Sequence, residues 1–119
     1  MKPTYHIVSH SHWDREWYKS FEQFRSMLVN MVDDLLDILE HDPNFICFTL
    51  DGQTVILEDY LAVKPEREQE IKRLVAEGRL IIGPWYILPD EFLVSAEATV
   101  RNLLVGTKMA EGLGGVMKV

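Results

Sequence analysis

The stretch Tyr5-His6-Ile7-Val8-Ser9-His10-Ser11-His12-Trp13-Asp14-Arg15-Glu16-Trp17-Tyr18 decides the fold. Residues 5–9 read as a buried strand, and the strand empties into a loop crowded with imidazole, carboxylate and indole. In α/β enzymes the carboxyl end of a strand opens into the binding crevice. Successive side chains on an extended chain alternate faces, so His10, His12 and Asp14 share one side if extended geometry continues to Asp14. Imidazole and carboxylate at that spacing suit a borderline divalent ion such as zinc. The two tryptophans add flat apolar surface that suits a sugar ring or another planar-faced ligand. A His-x-Asp triplet on its own is most often a solvated or hydrogen-bonded pair. The crowding of such groups after a buried-type strand is what points to a site.

Outward from this stretch, strands and helices alternate. From about Glu22 to Glu40 the apolar positions Phe24, Leu28, Met31, Val32, Leu35, Leu36 and Leu39 recur at spacings of three and four, which predicts an amphipathic helix. Pro43 stops it. Phe45 to Leu50 is a second strand, Asp51-Gly52-Gln53-Thr54 a turn and Val55 to Ala62 a short helix. Pro65 opens another helix that reaches about Ala76, with Gly78 as its cap. Leu80-Ile81-Ile82 is a third strand, followed by a long loop to Glu91. Ser95 caps the next helix, with Val100, Leu103 and Leu104 on its inner face. Val116 to Val119 looks like the beginning of a fourth strand. This order predicts an α/β fold, a parallel β-sheet flanked by helices with right-handed crossovers.

The chain has 119 residues, 47% hydrophobic and 26% charged, enough to bury the core of one domain. Its net charge of −7 argues against a nucleic-acid surface and against anionic membranes, both of which need clustered Lys and Arg. The single cysteine, Cys47, reads as a small buried hydrophobe with no disulfide possible within the chain. No apolar stretch approaches membrane-spanning length, and the N-terminus lacks a signal-peptide apolar region, so a cytoplasmic location is expected. The chain stops inside a strand-like run, and an unpaired sheet edge is a liability. That predicts either the N-terminal piece of a longer protein or an edge covered by another copy in a homo-oligomer.

The run His10 to Tyr18 resembles the opening motif of glycoside hydrolase family 38, the zinc-dependent α-mannosidases. The stretches Leu50 to Tyr60 and Gly78 to Tyr86, the latter continuing through Ser95-Ala96-Glu97 to Leu103, resemble its bacterial branch in the family's order. The resemblance implies that residues 1–119 are the N-terminal, incomplete part of the catalytic domain, a portion of an irregular (β/α)7 barrel. It implies that His12 and Asp14 bind Zn2+ or another divalent metal, with His10 next to the site. Trp17 matches the tryptophan that stacks on mannose, and Asp90, from an acidic pair with Glu91, helps shape the sugar pocket. The nucleophilic Asp follows the strand opening at Val116 in that family, so nucleophile and acid/base are expected beyond Val119. The implied substrate is an α-mannoside, cleaved with retention, and the isolated chain is expected to be inactive.

Two other readings of the residues stand beside this one. An amidohydrolase-like metal enzyme also places His-x-His after a first strand, as His10 and His12 would. A non-catalytic sugar- or metal-binding module would keep the indole and half a metal site without the chemistry. Arg15 and Glu16 read either as supports for the metal ligands or as a surface ion pair. Asp51 reads either as an active-site side chain at a strand end or as half of an ordinary Asp-Gly turn. Trp85 and Tyr86 read as packing residues, and His6 as a core histidine.

Overall fold

The computed structural model describes residues 2–117. Helix α1 spans Phe21–His41. The Ser20 N–H that precedes it donates to Gln23 Oε1 at 3.1 Å, which fixes the entry of the chain. Its buried residues are Phe24, Leu28, Val32, Leu35, Leu36 and Leu39, the stripe that the spacing predicts except for Met31, which is half-buried. Strand β1, Phe48–Thr49, pairs in parallel with β2, Leu80–Ile81, with Phe48 opposite Leu80 and Thr49 opposite Ile81. The crossover between them carries α2 (Val55–Leu61), a single 3₁₀ turn (Pro65–Arg67) and α3 (Glu68–Ala76). Helix α2 packs on α1, and the core between helices and sheet is built from Leu36, Leu50, Ile56, Tyr60, Leu74 and Ile82, all essentially inaccessible. The Arg79 guanidinium donates to the carbonyls of Leu39, Asp42 and Phe45, so the last turn of α1 is tied to the start of β2.

The expected first strand is not formed as such. Residues 5–9 run outside the sheet, with Tyr5 83% and Ile7 94% exposed. Pairing is confined to an isolated parallel bridge between His10 and Thr49. There the Thr49 N–H donates to Ser9 O at 2.9 Å and the Ser11 N–H to Thr49 O at 3.2 Å. An apolar run becomes a strand only where neighbours offer a ladder and a cover, and β1 offers both only opposite its own two residues. The second and third strands are shorter than expected for the same reason, and His6 is exposed rather than a core residue. Cys47 is half-buried. The Met117 N–H donates to Ile82 O at 2.9 Å, so Val116 and Met117 pass beside the end of β2 without forming the expected fourth strand, while Lys118 and Val119 lie outside the described residues.

Helix α4 spans Ala96–Gly112 and is capped by Ser95, whose Oγ accepts from the Ala98 N–H at 3.2 Å. Its inner face differs from the expected one: Val100 is 52% and Leu104 57% exposed, whereas Gly106 and Ala110 are buried. The helix lies directly on the backbone of residues 84–86. A Cβ at Gly106 would sit 2.2 Å from both the Trp85 carbonyl carbon and the Tyr86 nitrogen. Closest approach of the loop, not the apolar stripe, selects the buried face. Among the described residues no helix is long and apolar enough to cross a membrane.

Candidate active site

Three loops leave the sheet in one direction: residues 12–16 after the His10 bridge, 51–53 after β1 and 87–90 beyond β2. They enclose an open cavity of about 690 Å³. His12, Asp14, Asp51 and Asp90 all line it, so residues far apart in sequence converge at the strands' carboxyl ends.

His12 stands between two carboxylates. Its Nε2 is 3.8 Å from Asp14 Oδ2, and its Nδ1 is 4.0 Å from Asp51 Oδ1. The imidazole is open to solvent, at 76% side-chain exposure, whereas the Asp51 side chain is only 7% exposed. Asp51 adopts a left-handed backbone with φ 50°, followed by Gly52 at φ 68°. Aspartate is among the few non-glycine residues that enter this region readily. Its Oδ2 accepts from the Trp13 N–H at 2.6 Å and from Gln53 Nε2 at 2.8 Å. Gln53, 2% exposed, also donates from Nε2 to Trp13 O at 2.8 Å and accepts at Oε1 from the Leu88 N–H at 3.1 Å. One aspartate and one glutamine thus join all three loops that form the cavity.

Arg15 forms an ion pair, with a buried carboxylate of α2 and not with Glu16. Its Nε and Nη2 donate to Asp59 Oδ2 at 2.7 Å and Oδ1 at 2.9 Å, a bidentate pair with a carboxylate of α2 that is 8% exposed. The guanidinium also lies 4.3 Å from the Phe21 ring centre. The hydrogen bond to Asp59 raises the Arg15 pKa further above its ordinary value, against the lowering effect of burial. Arg15 therefore anchors the motif loop to α2. Beside it the Tyr86 hydroxyl donates to Glu58 Oε2 at 2.6 Å, and this bond, with burial, pushes the phenol up to about 12.

The other sequence candidates fall in different places. Asp90 lines the cavity and closes a turn by accepting from the Phe92 N–H at 3.1 Å. Glu91 is outside the wall, as expected for an adjacent residue. Trp17 is 76% exposed and tilts against Tyr18 with ring centres 6.1 Å apart; the cavity wall contains Trp13, not Trp17. His10 lies outside the wall, its Nδ1 2.7 Å from Ser11 O, so the His-x-His arrangement of an amidohydrolase does not assemble. Gln53 was missed as a site residue, and of the two tryptophans offered as flat surface it is Trp13 that reaches the wall. The one sequence signal for Gln53 is its place directly after an Asp-Gly turn at a strand end.

Zinc is implied by the motif, and the pair His12 and Asp14 can be compared with its requirements. Two ligands of one tetrahedral ion, at bonds of about 2.0–2.1 Å, sit about 3.3 Å apart. The 3.8 Å between Nε2 and Asp14 Oδ2 comes within a small side-chain rotation of that. The pair fits as part of a metal site. Among the described residues no three His, Cys, Asp or Glu side chains gather closely enough to complete one.

Comparison with known proteins gives consistent matches. Residues 2–118 match the Glycosyl hydrolases family 38 N-terminal domain. A candidate mannosylglycerate hydrolase of Halalkalibacterium halodurans is 59% identical over 114 residues, 96% of this chain and 13% of that protein. Alpha-mannosidase 2 of Spodoptera frugiperda is 30% identical over 103 residues, 84% of this chain and 9% of that protein. The crystal structure of an alpha-mannosidase from Enterococcus faecalis V583 superposes with a TM-score of 0.89 at 51% identity, covering 92% of this chain and 12% of that one. The chain thus spans about an eighth of the length of the Halalkalibacterium and Enterococcus relatives.

Proposed function

The chain belongs to glycosyl hydrolase family 38, and on that premise we propose that it forms the front of a zinc-dependent retaining α-mannosidase site, within a larger (β/α)7 barrel. One observation carries the reading: His12 Nε2 and Asp14 Oδ2 face each other at 3.8 Å inside a cavity that Asp90 also lines. In this reading His12 and Asp14 are two donors to the ion. Bound there, the ion would orient sugar hydroxyls and stabilise charge in a distorted ring.

The chain's own residues then bind and orient the sugar. The Trp17 indole offers an open apolar face for stacking on a pyranose ring. Asp90 accepts from a sugar hydroxyl through the carboxylate oxygen that its own turn leaves free. Arg15, locked onto Asp59, holds the motif loop still while the substrate enters. Retaining hydrolysis needs two carboxyl groups about 5–5.5 Å apart, one as nucleophile and one as acid then base. In this reading both are supplied from outside residues 1–119.

Calorimetric titration of the chain with zinc, alongside Asp14→Ala, tests the reading. Two donors hold zinc weakly, because stable sites use three or four protein ligands. Weak binding in the wild type that disappears in Asp14→Ala is expected. Tight stoichiometric binding, or binding indifferent to Asp14, would overturn it.

A further inference from the structure

We propose that Asp51 is the positioning residue of this site: it holds His12 with the proton on Nδ1, which leaves the Nε2 lone pair directed toward Asp14. The proposal rests on the reading of His12 and Asp14 as donors to a divalent ion, and gives Asp51 a role beside them rather than as a third donor.

A neutral imidazole carries one N–H, and its tautomer follows the partner of each nitrogen. Both His12 nitrogens face a carboxylate, Nδ1 toward Asp51 at 4.0 Å and Nε2 toward Asp14 at 3.8 Å. The two acids are not equivalent. Asp14 is 43% exposed, and water screens its pull on the ring. Asp51 is 7% exposed, and its Oδ2 is fixed by the Trp13 N–H and the Gln53 amide. With Oδ2 committed to those donors, Oδ1 is the oxygen left for His12. The present 4.0 Å is longer than a hydrogen bond, and the role requires the ring, 76% exposed, to turn toward Oδ1. The carboxylate–imidazole–metal relay is a common way to fix both ring orientation and basicity.

The substitution Asp51→Asn separates this role from simple packing. The single amide oxygen of asparagine is needed by the Trp13 and Gln53 donors, so its NH₂ turns toward His12 Nδ1. That reverses the preference and puts the proton on Nε2. The readout is long-range ¹H–¹⁵N NMR of His12 in the metal-free chain, at about pH 8.5, above the ordinary imidazole range. The expected result is the Nδ1–H tautomer in the wild type and in Asp14→Asn, and Nε2–H in Asp51→Asn. Zinc affinity should fall about 10–100-fold in Asp51→Asn. An Nε2–H wild type, or a tautomer that follows Asp14 instead, would overturn the proposal. So would an Asp51→Asn variant with unchanged tautomer and affinity. If Asp51→Asn does not fold, the wild-type and Asp14→Asn tautomers still decide. A wild type that binds no zinc overturns the donor reading, while the tautomer separately judges Asp51.

Discussion

Asp59 is a carboxylate at 8% side-chain exposure in a seven-residue helix, and the Arg15 fork is what makes its burial tolerable. Removing a partner from a buried charge costs the desolvation of the charge left behind. Arg15 is itself 41% exposed, which moderates the effect. Arg15→Met should lower stability by about 1–2 kcal/mol in urea unfolding, and Arg15→Lys, which keeps the charge and loses the fork, should recover only part of it. Tyr86 gives a pH prediction. Its hydrogen bond to Glu58 raises the folded value to about 12, above the ordinary value near 10. Folding therefore favours the neutral phenol. That contribution is complete below about pH 10 and disappears as pH climbs through about 12. Tyr86→Phe should flatten the loss of stability across that interval, measured by urea unfolding at successive pH values. A wild-type slope that survives the substitution would assign the loss to other groups.

At the scale of elements, two glycines of α4 make opposite predictions. A methyl at Gly106 would meet the backbone of Trp85 and Tyr86 at 2.2 Å, and backbone cannot step aside as a flexible side chain can. Gly106→Ala should cost about 3 kcal/mol or displace the helix. Gly112→Ala has nothing within 4 Å, and should be neutral or stabilising by up to about 1 kcal/mol. Thermal melts of the two variants check this. Gly106 also shows where sequence reading ends. Helix α1 was legible because a stripe spaced at three and four records the helix's own geometry, and Leu28, Val32 and Leu39 obey it. The inner face of α4 was not, because it is set by a loop about twenty residues earlier. Residues 5–9 look like a strand in composition, but pairing depends on a neighbour that supplies ladder positions only at Ser9 to Ser11. The site divides in the same way. Local alternation groups His10 with His12 and Asp14, and the structure brings only the last two to the cavity. The Trp13–Asp51 and Trp13–Gln53 bonds join positions 38 and 40 residues apart, and no local pattern encodes them.

At the scale of the molecule, what matters is which parts of the proposed hydrolytic site lie in these residues. Three of the four acids that line its cavity already have neighbours: Asp51 Oδ2 accepts two N–H groups, Asp90 closes a turn, and Asp14 faces His12. A retaining glycosidase also needs a carboxyl group kept protonated beside the leaving oxygen, and a second one about 5–5.5 Å away to attack the anomeric carbon. Orientation alone, however good, leaves a glycosidic bond with neither acid nor nucleophile. The chain spans 12–13% of the length of its Halalkalibacterium and Enterococcus relatives. Phe92, 99% exposed, and Leu93, 81% exposed, leave its cavity loop wet on the outer side. Water in a reacting site weakens the electrostatic interactions on which oxocarbenium stabilisation depends. The 119-residue chain should therefore release no nitrophenol from 4-nitrophenyl α-mannoside above the buffer rate, with or without zinc. A zinc-dependent rate that Asp14→Ala abolishes would show that the chain holds a complete catalytic pair, and would move nucleophile and acid back among Asp14, Glu16, Asp51 and Asp90.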